Sequence, residues 1–196
     1  SLLVGCDIVI VEGVSDQHYL TMIKNHLISE GKFQPSKEMA FIPVGGVRGV
    51  KPVVSIVQGT KSALPVTLLD SDQSGKTFQS GLKSGLYSSD KDKVIETDTF
   101  TGKEGSEIED LIPLDLIVDC FDRIFRTEDG IDTDDVNSNL PIVPQLEEIG
   151  KANDLRLEEQ HGWKVELSKR VKQKFKGNVP EDIEKSWIEL FNKIKA

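Results

Sequence analysis

The chain has 196 residues, of which 37% are hydrophobic, and it carries a formal net charge of −9. This length suits one domain with an extension, or two small domains, with enough apolar residues for a core. The acidity argues against a surface coated in positive charge for nucleic acid. It remains compatible with a local basic patch or with an acidic metal site.

The positions of the cysteines and the length of the apolar runs argue against zinc-binding, disulfide-bonded and membrane-spanning proteins. Cys6 and Cys120 belong to no CxxC motif and no Cys/His cluster, so neither a zinc site nor a disulfide framework is indicated. No apolar run is long enough for a bilayer and no signal peptide is visible, which favours a soluble, cytoplasmic protein without membrane contact. Because the sequence starts at Ser1 without an initiator Met, we expect a domain cut from a longer protein.

The first predicted unit is a strand followed by a helix. Residues 7–11, DIVIV, read as a strand buried on both faces, and Glu12 stands at its carboxyl end. Gly13 permits a tight turn, and Ser15 or Asp16 is a natural cap for a helix over residues 16–29. His18 and His26 fall on this helix, where we interpret both as ordinary surface or core residues.

The next elements repeat this alternation. We predict strands over residues 39–44, 65–69 and 93–96, a helix over 50–58, and a weak helix or loop over 78–87. The glycines at 45–49 do not form GxGxxG and indicate a tight strand-to-helix turn. Short strands alternating with helices predict an α/β fold with a parallel sheet flanked by helices.

The third strand ends abruptly in Asp70-Ser71-Asp72. A polar turn is the simplest interpretation of this DxD. A calcium-binding EF-hand loop is excluded because Gly81 stands where the bidentate Glu is required. A haloacid-dehalogenase-like phosphatase, which also has a DxD after a strand, is disfavoured because its motif follows the first strand. The remaining alternative is a catalytic Mg²⁺ or Mn²⁺ site, which needs further carboxylates.

The segment over residues 102–113, GKEGSEIEDLIP, supplies them. Glu107, Glu109 and Asp110 crowd the predicted start of a helix for which Ser106 is a natural N-cap. Acidic residues in a first helical turn also interact favourably with the helix dipole, so a purely structural role is an alternative. A helix over 114–125 follows, and residues 127–139 read as a flexible acidic loop.

The rest of the chain reads as helical, with helices over 143–152, 164–176 and 180–195. The second of these helices holds the only strongly basic segment of the chain. Its cations are Lys164, Lys169, Arg170, Lys172, Lys174 and Lys176. A charged helix face is usually solvated surface, but in so acidic a chain the clustering indicates phosphate contact.

The carboxylates predict one site. Glu12, Asp16, Asp70 and Asp72 lie at the ends of two strands that we expect to be neighbours, and Glu107 and Glu109 join them. Carboxylates converging on one edge would repel each other without cations. A pair of Mg²⁺ or Mn²⁺ ions about 4 Å apart would satisfy them and would suit in-line attack on a phosphodiester.

IVIVEGVSD followed by VTLLDSDQSG resembles the Toprim domain, in which a strand-terminal Glu precedes a strand-terminal DxD. VEGVSD, GSEIEDLIP and KVELSK are most similar to the OLD (overcoming lysogenization defect) family nucleases. The resemblance covers residues 5–125 well and the helical remainder weakly. In that family an N-terminal ATPase precedes a C-terminal Toprim nuclease.

The resemblance implies roles for single residues. Glu12 and Asp16 would ligate metal, Asp70 would bridge, and Asp72 would bind directly or through water. One or both of Glu107 and Glu109, with Ser106, would complete the second metal site. Lys164 would be the essential lysine, with Lys169 as the alternative. Lys169, Arg170, Lys172, Lys174 and Lys176 would hold the DNA backbone.

The resemblance implies a Toprim core over residues 1–126, an acidic linker over 127–142 and a helical extension over 143–196. The expected function is that of a metal-dependent DNA endonuclease, whose partners are DNA and the N-terminal ATPase domain, with a homodimer formed through that domain. The alternatives are the Toprim domain of a topoisomerase- or primase-like enzyme, and a catalytically silent DNA-binding or dimerisation module.

Overall fold

The computed structural model describes residues 5–60, 63–127, 130–157, 160 and 162–195. Residues 128–129 of the predicted acidic linker, and Ser1 at the chain start, therefore lie outside the described residues. The fold is α/β, with a four-stranded parallel sheet flanked by helices, as the sequence predicts. In the described part of the linker, a single 3-10 turn spans Thr133–Asp135, and Val136 is buried.

The strands follow the order β2-β1-β3-β4 across the sheet. Their bounds are β1 (Asp7–Val11), β2 (Met39–Pro43), β3 (Val66–Leu69) and β4 (Val94–Glu96). All three pairings are parallel, and Val9 of β1 faces Val66 of β3 in the register. The two predicted motif-bearing strands are therefore the two central ones, and their carboxyl ends lie at the same edge.

Eight α-helices are assigned among the described residues. They are α1 (Val14–Ser29), α2 (Val47–Thr60), α3 (Gln73–Ser84), α4 (Asp98–Thr101), α5 (Leu114–Phe125), α6 (Ile142–Ala152), α7 (Trp163–Lys174) and α8 (Glu181–Lys195). The prediction for α5 matches its observed bounds. The prediction for α3 is wrong at its start, because Asp72 caps the helix and begins it five residues earlier than expected.

The sheet separates two apolar clusters, and β1 shows the alternation that this requires. Val9 and Val11 face the larger cluster with α1, whereas Ile8 and Ile10 face the smaller one with α2 and α3. The larger cluster also contains Trp187, Leu190 and Phe191 of α8, together with apolar residues of α5, α6 and α7. The helical extension therefore shares one core with the sheet.

Helix α1 also covers polar backbone atoms of the edge strand β2. Lys24 Nζ donates to the Met39 carbonyl oxygen at 3.0 Å, and Gln17 Nε2 donates to that of Phe41 at 2.9 Å. Satisfied edge carbonyls are less available for pairing with a foreign strand. Within the described residues, no helix has the length and apolar character needed to cross a membrane.

The DxD strand needs a glycine five residues after Asp70. A Cβ added at Gly75 would lie 2.0 Å from the Asp70 carbonyl oxygen, so α3 approaches the strand end more closely than any side chain permits. The sequence indicated only turn chemistry for Gly75, but the structure places it in the first turn of α3.

We expect Gly75→Ala to lower the free energy of unfolding by about 1–3 kcal/mol, because the added methyl group must displace α3 or Asp70. Gly81→Ala is the matched control on the same helix. Nothing lies within 4 Å of a Cβ there, so it should be neutral or stabilising by up to about 1 kcal/mol. Urea denaturation compares the two, and equal stabilities would show that the close approach does not constrain the fold.

Candidate metal and catalytic site

The central strands bring Glu12 and Asp70 together. Asp70 donates its backbone N–H to Glu12 Oε1 at 3.0 Å, across 58 positions of sequence. This contact follows directly from the pairing of β1 with β3. The two strand-terminal carboxylates therefore occupy one edge of the sheet, where open α/β folds bind their ligands.

Asp16 joins them from the first turn of α1. It is 7% exposed, and its Oδ2 accepts from the Gly13 N–H at 2.8 Å while Oδ1 accepts from the Ser15 hydroxyl at 3.2 Å. Gly13, and neither Ser15 nor Asp16, occupies the N-cap position, so that predicted detail is wrong. The Asp16 side chain instead turns back towards the strand–helix junction, and this brings it to Glu12.

The third acidic segment is a short 3-10 turn, Ile108–Leu111, and not the predicted start of an α-helix. Its N-cap is Glu107, not Ser106, because the Asp110 side chain accepts from the Glu107 N–H. We call residues 107–111 the acidic turn. Ile108 donates its N–H to Asp70 Oδ1 at 3.2 Å, which ties the acidic turn to the DxD strand.

The residue between the two aspartates strengthens this tie. Ser71 is 1% exposed and donates its N–H to the Ser106 carbonyl oxygen at 2.9 Å. Its hydroxyl accepts from the Asp98 N–H at 2.9 Å. Sequence reasoning missed this role, although a small polar residue between two strand-terminal aspartates was visible in DSD.

The three acids of GSEIED have different surroundings. Asp110 accepts from Lys103 Nζ at 3.0 Å, from the Ile142 N–H at 3.1 Å and from the Glu107 N–H at 3.2 Å. All of these contacts hold the acidic turn in place, so Asp110 is structural. Glu109 is 1% exposed, and its Oε1 has no hydrogen-bond partner among the described residues. Glu107 accepts from Lys164.

Lys164 reaches this cluster from α7, which packs against α1. Its Nζ pairs with Glu107 Oε2, and its side chain is 29% exposed. Lys169, the alternative candidate, is exposed and lies 4.0 Å from Glu166 Oε2. The structure therefore brings Lys164, and not Lys169, to the predicted site.

The remaining two predicted ligands already have hydrogen-bond partners. Asp72 Oδ1 accepts from the Gly75 N–H at 2.6 Å, as the cap of α3. The Ser106 hydroxyl lies 2.6 Å from Thr101 Oγ1 and is fully buried. Both residues border the cluster, and their role as metal ligands stays a prediction.

Burial dominates the electrostatics of the cluster. It raises the pKa of Glu12 to about 7 and that of Glu109 to about 8. The pKa of Asp70 is raised well above its usual range by burial and by the neighbouring charges of Asp16 and Glu107. Burial likewise raises the pKa of Asp16 and of Glu107. Several carboxyl groups thus hold protons in the absence of further positive charge.

One cation partly compensates these charges. Burial alone would lower the pKa of Lys164, but the carboxylates of Glu109, Glu107 and Asp70 together raise it above its ordinary value. Lys164 therefore stays charged. A single ammonium cannot neutralise five ionised carboxylates, so protons or further cations must balance the rest.

A hard divalent cation fits the chemistry of these donors. All the candidate ligands are oxygen donors, as Mg²⁺ and Mn²⁺ prefer, and the buried Glu109 Oε1 lacks any partner. Across the part of the chain that the structure describes, no group of three or more His, Cys, Asp and Glu side chains is arranged to hold a metal ion. Glu107, Glu109 and the Lys164 ammonium would have to rearrange to admit one.

Four of the six cations in the basic segment are exposed, whereas Lys164 and Lys174 are half-buried. Lys169, Arg170, Lys172 and Lys176 are exposed on or just beyond α7. Lys174 instead pairs with Asp119 Oδ2. This ion pair holds the Lys174 ammonium against α5, and the role of Lys174 in holding DNA stays a prediction.

The two histidines of α1 have ordinary structural surroundings. His18 Nδ1 lies 2.9 Å from Ser168 Oγ, and His26 packs edge-on against Phe175 and Trp187. Both contacts join α1 to the C-terminal helices.

Comparisons of this chain with protein-family models, with curated proteins and with solved structures found no match. The description of the site therefore depends on the chain's own geometry.

The raised pKa values predict an unusual pH dependence of stability without divalent cations. Glu12 and Glu109 keep protons in the folded state that the unfolded chain releases above about pH 4.5. Their contribution to the free energy of unfolding is complete below about pH 4.5. It is lost as the pH rises through about 7 for Glu12 and about 8 for Glu109. Urea denaturation in EDTA from pH 5 to 8.5 should show this decline.

The variant Glu12→Gln isolates one of these groups. It cannot ionise, so its free energy of unfolding should fall less between pH 5 and 8.5 than that of the wild type. Taking the difference between the two proteins cancels the opposite contribution of His18, whose pKa burial lowers. Parallel pH profiles for the two proteins would contradict the raised pKa of Glu12.

Proposed function

We propose that this chain is a Toprim-type nuclease domain that hydrolyses DNA phosphodiester bonds with two Mg²⁺ or Mn²⁺ ions. One observation carries the proposal. Glu12, Asp70, the acidic turn and Lys164 come from four distant segments and meet at the carboxyl edge of the two central strands. A merely structural role would not require so many buried carboxylates, each with a raised pKa.

The roles of the residues follow from their positions. Glu12, Asp16, Asp70, Glu107 and Glu109 would hold the cations, with Asp72 and Ser106 at the border. Bound divalent cations would supply Lewis acidity and a water of lowered pKa. Lys164 would release Glu107 and place its ammonium where negative charge develops on the phosphate.

The tyrosines favour hydrolysis over a topoisomerase reaction within this chain. A topoisomerase needs an accessible tyrosine as nucleophile. Tyr19 and Tyr87 are the only two tyrosines, and both are fully buried. With no accessible tyrosine among these 196 residues, we propose water as the nucleophile.

The exposed cations of the basic segment would hold DNA. Lys169, Arg170, Lys172 and Lys176 lie beyond Lys164 along α7 and could contact phosphates on either side of the scissile one. Such contacts position the duplex without reading its sequence. We further propose that the domain acts in the cytoplasm as part of a larger ATPase–nuclease protein, which would form a homodimer through its ATPase domain.

We expect cleavage of supercoiled plasmid to require Mg²⁺ or Mn²⁺ and to stop with EDTA. Asp70→Asn should reduce the cleavage rate at least about 100-fold, since a site that loses one anionic ligand stabilises the reacting oxygens less well. Asp115→Asn, which alters an exposed carboxylate on α5, should cleave like the wild type. Undiminished cleavage by folded Asp70→Asn would remove Asp70 from the mechanism.

Substitution of Lys164 should affect the cleavage rate, whereas substitution of Lys169 should affect DNA binding. Lys164→Ala should lower the single-turnover cleavage rate about 100- to 1,000-fold at saturating DNA, because its contact strengthens only as charge develops. Lys169→Ala should weaken binding to all sequences and reduce the salt slope by about one. Fluorescence anisotropy and quenched-flow cleavage measure the two effects. An unchanged rate for Lys164→Ala would remove Lys164 from the chemistry.

A further inference from the structure

A cavity of about 440 Å³ lies between the end of α5 and the start of α7. Two aromatic side chains that line it, Phe125 and Trp163, are half-buried, and the exposed Glu166 and Lys169 line it as well. Cavities of this volume, with aromatic walls and few polar groups, are typical of ligand sites. The proposed nuclease chemistry gives this cavity no role, so it is a candidate for a further binding site.

The Trp163 ring is held in place by its neighbours. It packs edge-to-face on Phe121, with centroids 6.1 Å apart and planes at 85°, and on Phe125 at 6.4 Å. Phe121 and Phe125 contact each other at 4.7 Å, and Phe121 is fully buried. A ring that is already fixed loses little conformational entropy when a ligand stacks on it. Packing alone also accounts for these contacts, so the chemistry beside the ring must decide whether it serves a ligand.

The cations beside the ring indicate that chemistry. Lys164 Nζ lies 6.0 Å from the centroid of the Trp163 ring, and the same ammonium reaches the carboxylate cluster. Lys169 lines the cavity itself, and Glu166 offsets only one of the two charges. An aromatic ring beside two ammonium groups suits a ligand that joins a planar aromatic group to an anion, as a nucleotide does. Sites for single strands combine positive charge and aromatic side chains in this way.

The base of such a nucleotide must be unpaired. In a duplex the bases are stacked on each other, so their faces cannot reach a protein ring. A base that has left the stack can instead lie on an aromatic side chain.

We propose that Phe125 and Trp163 form a stacking site for an unpaired base of the DNA strand whose phosphate Lys164 contacts. This inference rests on the proposed function, because that function makes DNA the ligand, and it deepens it by naming DNA with unpaired nucleotides as the substrate class. Stacking tolerates any sequence because every base has a π-face. The stacking site therefore adds affinity for unpaired strands without reading their sequence.

The test compares two single strands that carry the same phosphates. One is an oligothymidylate of about 12 nucleotides, and the other is an abasic strand of equal length. Fluorescence anisotropy of the labelled strands, in EDTA so that no metal-dependent cleavage occurs, measures both affinities. The wild type should bind the oligothymidylate more tightly. Trp163→Leu should weaken oligothymidylate binding about 5- to 100-fold and leave abasic binding unchanged, because only the stacking is lost.

Matched variants separate stacking from packing and from charge. Trp163→Phe keeps an aromatic ring and should retain most of the preference for bases. Phe78→Leu alters another half-buried aromatic residue, with Lys51 Nζ 5.7 Å from its ring centroid, in the opposite apolar cluster. It should bind both strands like the wild type. Lys169→Ala should weaken binding of both strands by the same factor, since it removes charge alone.

Tryptophan fluorescence reports the stacking directly. Trp163 and Trp187 are the only tryptophans of the chain, and Trp187 is 0% exposed. The oligothymidylate should quench the fluorescence of the wild type, and the abasic strand should not. Trp163→Phe should abolish this quenching while it keeps the affinity.

The outcomes distinguish this inference from the proposed function. Equal affinities of the wild type for the two strands, or an equal loss for both in Trp163→Leu, would overturn the stacking site alone. If Trp163→Leu does not fold, Phe125→Leu removes the other ring of the cavity and is subject to the same criterion. Base-dependent binding without any metal-dependent cleavage would support the stacking site and overturn the nuclease. A protein that binds neither strand and cleaves no DNA would overturn both.

Discussion

The structure depends on one constraint, which is the crowding of carboxylates at the carboxyl edge of a small parallel sheet. Glu12, Asp16, Asp70, Glu107 and Glu109 all have raised pKa values, and burial is the leading cause for each. Only Lys164 opposes them from within the cluster. Charges held so close in a partly dry site cost free energy, and the surrounding packing must offset this cost.

The C-terminal helices provide much of this packing. Helix α7 supplies Lys164, and α8 holds the acidic turn through the Trp187 indole, which donates to the Leu111 carbonyl oxygen at 2.6 Å. Asp110 fixes the same turn by accepting from the Ile142 N–H at the start of α6. Three helices beyond residue 140 therefore set the position of the acidic turn, while the sheet sets that of Glu12 and Asp70.

This arrangement explains why neighbouring acidic residues in GSEIED have different hydrogen-bond partners. Asp110 accepts several hydrogen bonds that hold the backbone of the turn. Among the described residues, Glu109 Oε1 has no hydrogen-bond partner, whereas Glu107 pairs with Lys164. Asp72 resembles Asp110, because one of its oxygens caps α3. Within the acidic turn, N–H groups and a lysine satisfy the structural carboxylate of Asp110, whereas Glu109 Oε1 has no such donor among the described residues and is suited to a cation.

The sheet and its two acidic strand ends could be predicted from the sequence. Short apolar runs rich in β-branched residues, such as DIVIV and VTLL, favour buried strands, and parallel strands place their carboxyl ends at one edge, so Glu12 and Asp70 could be paired in advance. The first residue of a helix was harder to predict where an N-cap residue sets it, as Gly13 does for α1 and Asp72 does for α3.

Tertiary contacts select which of the other charged residues belong to the site. Of the donors to Asp110, the Glu107 N–H lies within GSEIED, but Lys103 and the Ile142 N–H lie outside it and could not be assigned from the motif. The basic segment likewise offers six similar cations. The packing of α7 on α1 and α5 places Lys164 against Glu107 and Lys174 against Asp119 of α5. Partners distant in the chain are set by helix packing, which periodicity alone does not encode.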